Sequence, residues 1–113
     1  MAEPRVVPFD QIGKTSGGSV RFLGEQHGSS VSFYVVDGAE GSGPGPHTHP
    51  YDETFVVLEG GATFTVDGQD IEATAGTVIV VPAGAVHAFT IGPEGMRSAN
   101  IHPRPRMEQT DLQ

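Results

Sequence analysis

The chain has 113 residues, 14 acidic and 6 basic side chains for a net charge of −8, and no cysteine. That length suits one domain; the negative charge repels nucleic acid and anionic membranes; the missing thiols exclude disulfides, thiol catalysis and thiolate metal sites. Sixteen glycines and nine prolines leave little room for long helices.

The expected organisation is one domain over residues 1–113, with an arm over 1–18, a barrel over about 19–102 and a tail over 103–113. The N-terminal run Met1 to Gly13 has neither an apolar stretch nor a small-residue cleavage site, so a cytoplasmic location is expected. Short runs rich in Val, Phe, Thr and Ile then recur, each bounded by turn residues: Ser19–Leu23, Val31–Val36, Thr54–Leu58, Ala62–Val66, Gln69–Ala73, Thr77–Val81, His87–Ile91 and Met96–Ile101. They predict strands. Asp67-Gly68 supplies the two positive-φ residues of a type I′ hairpin turn. With no sustained helical period between strands, parallel β-α-β units are excluded and an antiparallel all-β sandwich or barrel is expected. Glu59-Gly60-Gly61 reads as a surface turn.

One stretch fits no strand. Gly38 to Pro46 is too rich in Gly and Pro, yet it runs straight into His47-Thr48-His49-Pro50-Tyr51-Asp52-Glu53. Alternate residues of a strand share a face, so His47 and His49 point to one side. Glu53 has the same parity beyond a bend at Pro50. His87 follows the turn Pro82-Ala83-Gly84-Ala85, which aims it at one place. Imidazole and carboxylate without sulfur suit one divalent transition metal such as Fe, Mn, Ni, Co or Zn.

Gly41, His47, His49, Glu53 and Gly60 stand at the spacing of the first cupin motif, and Gly76, Pro82, Gly84 and His87 at that of the second. The chain therefore resembles small single-domain bacterial cupins over most of residues 19–102. The resemblance implies a double-stranded β-helix, a jelly-roll barrel of antiparallel strands, with His47, His49, Glu53 and His87 as metal ligands inside it. It departs at Ile91, where the second motif often carries Asn, which bears on the polarity of the pocket wall.

Other residues read less sharply. Tyr51 shares the ligand parity and is either a phenol near the metal or an aromatic plug at the barrel mouth. Phe55, Val57, Phe89 and Ile91 continue the inward parity and predict an apolar cup, with core packing as the competing role. His27 is expected in a solvated loop, Asp52 as a solvated neighbour and Asp67 as a turn residue. His102, before Pro103 at the end of the last strand, is expected outside the pocket. The tail is expected at most to cover a sheet edge.

Four protein ligands on an octahedral ion leave two adjacent positions for substrate, or for substrate and dioxygen. The expected function is a metal-dependent enzyme acting on a small oxygen-rich or aromatic molecule, dioxygenase-like first, with isomerase, decarboxylase, lyase or cyclase chemistry open. The alternative is a non-catalytic domain that binds or senses a small ligand. The only lysine is Lys14, in the arm. Tyr51 and Glu53 are thus the candidate proton-handling residues. Thr54, Val56 and Leu58 lie on the outward parity of an apolar strand, which predicts a homodimer.

Overall fold

The computed structural model describes residues 3–112. Nine strands are present among them: β1 (Gly13–Lys14), β2 (Val20–Phe22), β3 (Ser32–Gly38), β4 (His47–Thr48), β5 (Glu53–Val66), β6 (Gln69–Thr74), β7 (Thr77–Val81), β8 (His87–His102) and β9 (Thr110–Asp111). Every pairing is antiparallel, and the pairings join the strands into one curled sheet. The fold is all-β, as expected. Two 3₁₀ turns, Phe9–Gln11 and Gly24–Gln26, interrupt it.

The Asp67-Gly68 hairpin forms as predicted. Val66 pairs with Gln69, and the two turn residues have φ of 47° and 83°, the twist that suits a two-residue connection.

Two expected pairs of strands are each one strand. Thr54–Leu58 and Ala62–Val66 belong to β5, and His87–Ile91 and Met96–Ile101 belong to β8. Glu59-Gly60-Gly61 is a bulge in β5, not a surface turn. Gly60 has φ of 68°, and a Cβ there would lie 1.9 Å from the Gly95 carbonyl oxygen, so only glycine permits the close approach of β8. The buried residues of β5 are Glu53, Phe55 and Val57 before the bulge, but Ala62 and Phe64 after it. β8 changes parity opposite it, from His87, Phe89 and Ile91 to Met96, Ser98, Asn100 and His102. The sheet turns its corner there, and each long strand contributes to both halves of the barrel.

Phe55, Val57, Phe64 and Val81 are at most 1% exposed and form the centre of the core. Phe64 packs edge-on against Phe55 at 4.9 Å between ring centroids and lies 5.1 Å from Phe89. Burying each such ring stabilises the fold by about 1.5–3 kcal/mol. This apolar floor adjoins the buried histidines, with Phe55 edge-on to His87 at 6.2 Å between ring centroids.

Both chain ends add short strands. β1 pairs with β2, and β9 pairs with β4, matching Asp111 to His47 and Thr110 to Thr48. The tail thus covers the open edge of the strand that carries His47. Among the described residues no helix is long and apolar enough to cross a membrane.

Candidate metal centre

The Gly/Pro loop before β4 is fastened to β8. Gly41 N–H donates to the Ile91 carbonyl and Ile91 N–H to the Ser42 carbonyl, both at 2.8 Å. Gly43, at φ of 147°, lies so close that a Cβ would stand 1.9 Å from the Phe89 carbonyl oxygen. The loop therefore delivers β4 beside the start of β8, where His47 and His87 become direct cross-strand partners.

Two aspartates aim His87. Asp52 Oδ1 accepts from Ala83 N–H at 3.0 Å, and Asp67 Oδ1 accepts from Val86 N–H at 2.8 Å. Gly84 N–H donates to the His49 carbonyl at 2.9 Å. The turn that carries the fourth ligand candidate is thus tied to the strand that carries the others. Asp52 and Asp67 hold that turn by hydrogen bonds, a role beyond the solvated neighbour and turn residue expected of them.

His47, His49, Glu53 and His87 are all buried, and each presents one ligand atom within 4.8 Å of the others. Their outer nitrogens are already used. Nδ1 of His47 donates to the Gly45 carbonyl at 2.8 Å, Nδ1 of His49 to that of Glu108 at 2.7 Å, and Nδ1 of His87 to that of Ala85 at 3.0 Å. Three backbone acceptors favour protons on Nδ1 and turn each Nε2 inward, the arrangement that metal-ligating histidines adopt, with His87 Nε2 meeting Glu53 Oε1 at 3.1 Å. His49 Nε2 lies 2.9 Å from Glu53 Oε1, but at an angle that makes no hydrogen bond, and it is a buried nitrogen without a partner. Such an atom is costly unless something fills the centre. The donor set suits a divalent transition metal.

Electrostatics favour the ligand forms of Glu53 and His47. Burial raises the Glu53 carboxyl, but the imidazoles of His102, His49 and His87 outweigh it and hold the group well below the usual carboxylate range. Burial lowers His47, against the pull of the Gly45 carbonyl. His49 is raised on balance: burial lowers it, and Glu53 with the Glu108 carbonyl more than reverses that.

A cavity of about 440 Å³ opens from the cluster, within the range of small-molecule sites. His47, His49, Glu53 and His102 reach it, and Phe55, Phe89 and Ile91 form an apolar wall. Val57, expected with them, lies in the core below instead. Tyr51 is buried beside the cluster but not on the cavity wall; its hydroxyl accepts from Glu108 N–H at 3.1 Å and meets His102 Nδ1 at 2.6 Å. His27 is half-buried and stacked on Phe22 with ring centroids 4.8 Å apart, away from the metal centre.

The structure adds residues the sequence reading left out. His102 is 1% exposed, with Nε2 at 3.2 Å from Glu53 Oε2; it lies inside the pocket, contrary to expectation, because of the parity change in β8. The same change brings Asn100 to the cavity wall beside Tyr34, its register partner on β3. Ser98 donates its hydroxyl to Asn100 Oδ1 at 2.8 Å, which fixes the amide and leaves its nitrogen as a donor. Gly60, Gly61 and Gly95, where the two strands approach closely, are a sequence signal for the change.

A curled antiparallel barrel that closes three histidines and a glutamate around one point defines a double-stranded β-helix protein with a site suited to a metal ion. Residues 32–101 match the cupin domain model, and the chain belongs to the cupin family. It is 39% identical over 69 residues to the dimethylsulfoniopropionate lyase DddW of Ruegeria pomeroyi, a match covering 58% of this chain and 45% of that protein. It is 36% identical over 74 residues to the quercetin 2,3-dioxygenase of Bacillus subtilis, covering 63% of this chain and 22% of that enzyme. The chain thus spans less than half the length of either relative. The fold superposes on oxalate decarboxylase of Lactobacillus farciminis with a TM-score of 0.77 at 19% identity, covering 88% of this chain and 32% of that one, a likeness of fold alone.

Proposed function

We propose that this cupin is a metal-dependent enzyme acting on a small oxygen-rich or aromatic molecule, dioxygenase-like in its chemistry, with one divalent ion of Fe, Mn, Ni, Co or Zn held by His47, His49, Glu53 and His87. The observation that carries the proposal is the inward convergence of four ligand atoms, one an unpartnered buried nitrogen, at the end of an open cavity. When bound, the ion supplies Lewis acidity or a centre for oxygen activation.

The chain's own residues bind and orient. Phe55 and Phe89 offer aromatic surface and keep water from the reacting end. The Asn100 amide, held by Ser98, donates to an oxygen of the bound molecule. Tyr34, on the same wall, has its phenol raised by burial, against Arg21, so it stays protonated as a donor. No lysine or arginine lines the cavity among the described residues, which favours a neutral or metal-chelating oxygen group over a free phosphate. The lyase and dioxygenase chemistry named for the two relatives supports small-molecule chemistry at such a site.

The same proposal places the protein in the cytoplasm as a homodimer. Leu58, Val78 and Val80 are 52%, 59% and 58% exposed. Val56 pairs with Val78 and Thr54 with Val80, so the outer face of β5 and β7 is a continuous apolar surface of the kind a partner covers.

The test is elemental analysis of the purified protein, then oxygen uptake with a flavonol and a catechol as probes after loading each metal. Stoichiometric metal with turnover supports the reading. Metal-free protein overturns it, and tight ligand binding without turnover makes the chain a non-catalytic binding cupin instead.

A further inference from the structure

The four candidate ligands do not account for every buried imidazole in the interior. His102, 1% exposed, is not one of the four. Its two nitrogens lie between different partners: Nδ1 is 2.6 Å from the Tyr51 hydroxyl and Nε2 is 3.2 Å from Glu53 Oε2. The Tyr51 oxygen in turn accepts from Glu108 N–H at 3.1 Å. With that N–H already pointing at the phenol oxygen, the phenol proton goes to His102 Nδ1. His102 then carries its own proton on Nε2, which faces the Glu53 carboxylate at 3.2 Å but, like His49 Nε2, makes no hydrogen bond as the ring stands. This tautomer is the reverse of the one that backbone carbonyls favour for His47, His49 and His87.

The two oxygens of Glu53 are also treated differently. Oε1 faces His49 Nε2 at 2.9 Å and His87 Nε2 at 3.1 Å, at the centre of the cluster, whereas Oε2 faces His102. We propose that His102 is a positioning residue of the metal centre: its Nε2–H, 3.2 Å from Glu53 Oε2, turns onto that oxygen once the centre is filled and so reserves Oε1 for the ion, Tyr51 sets its tautomer, and the C-terminal tail completes the arrangement. The tail does so through one residue. Glu108 N–H holds Tyr51 while the Glu108 carbonyl holds His49 Nδ1 at 2.7 Å, so the two backbone groups of this residue reach two ligands, His49 directly and Glu53 through Tyr51 and His102. Pairing of β9 with β4 keeps that residue in place.

The inference rests on the metal site proposed above, and its experiment separates the two. Zn(II) alone is the probe, with affinity measured by chelator competition on the full chain. His102→Leu weakens Zn(II) binding about 10- to 100-fold, the usual effect of removing a partner of a ligand. His102→Gln, whose amide can still donate to Glu53, restores most of it, which a merely space-filling role would not require. Long-range proton–nitrogen NMR spectra of the imidazoles read the tautomers directly. His102 is expected protonated on Nε2 in metal-free and Zn(II)-loaded protein, and the other three on Nδ1, with Tyr51→Phe releasing His102 from that tautomer.

His102 found protonated on Nδ1, or unchanged affinity in His102→Leu, overturns the proposal. If that variant does not fold, Tyr51→Phe decides, because it deletes one hydroxyl and keeps the ring. If the parent binds no Zn(II), the metal reading fails, while the metal-free tautomers still decide whether His102 donates to Glu53.

Discussion

His47 and His87 stand opposite each other in paired strands, with ring centroids 4.1 Å apart. One comes from the loop-fed strand β4 and the other from the start of β8, so the centre is assembled by strand register. His47→Ala should abolish tight metal binding without unfolding the barrel, since His47 is not part of the apolar core cluster. Isothermal titration with Mn(II) or Zn(II), beside a circular dichroism melt, checks both.

Metal binding should weaken with acid. Each imidazole must be neutral to donate. Glu53 and the Glu108 carbonyl outweigh burial to raise His49 above its ordinary value, so protons compete there first as pH falls toward and below about 6.5. Occupancy measured at pH 7.5 and pH 5 should drop sharply, and equal occupancy would contradict histidine ligation.

Glu53 should also govern the acid stability of metal-free protein. Burial opposes its charge, yet the contacts with His102, His49 and His87 lower its folded value. A lowered carboxylate stabilises the fold fully above its unfolded value of about 4.3 and loses that contribution as pH falls from there toward the folded value. Denaturant melts of the parent should weaken as pH drops from 5 to 3, and Glu53→Gln should flatten that part of the slope.

Asp52 should act on the centre without touching it. Asp52→Ala removes the acceptor of Ala83 N–H and loosens the turn before His87. Metal affinity should fall about 10-fold or more, the lower end for a supporting contact, with a smaller change in melting temperature than a core truncation gives.

Phe64 is fully buried between Phe55 and Phe89. Phe64→Ala should cost about 3–5 kcal/mol, read as the shift in urea midpoint of metal-free protein.

The apolar face of β5 and β7 gives a test of assembly. Light scattering should report twice the chain mass, and Leu58→Glu with Val80→Glu should reduce it to one. A monomeric parent at micromolar concentration would refute the dimer.

Much of this protein is local and was legible from its residues. His47 and His49 share a face because strands alternate, Glu53 keeps that parity, and Asp67-Gly68 fixes its hairpin by the only φ values the turn permits. These depend on neighbours in the chain. His102, Asn100 and Tyr34 do not, because counting parity from His87 along β8 would have turned His102 outward. The bulge at Gly60-Gly61 and the matching bend before Met96 reverse the face of both long strands. That reversal is set where two distant backbones meet closely enough to exclude a Cβ. Whether Glu59-Gly60-Gly61 becomes a turn or a bulge depends on β8 lying alongside. The tail's place was hidden for the same reason: Glu108 reaches Tyr51 and His49 by backbone groups that every residue possesses, so only the packed barrel could show which two ligands they hold.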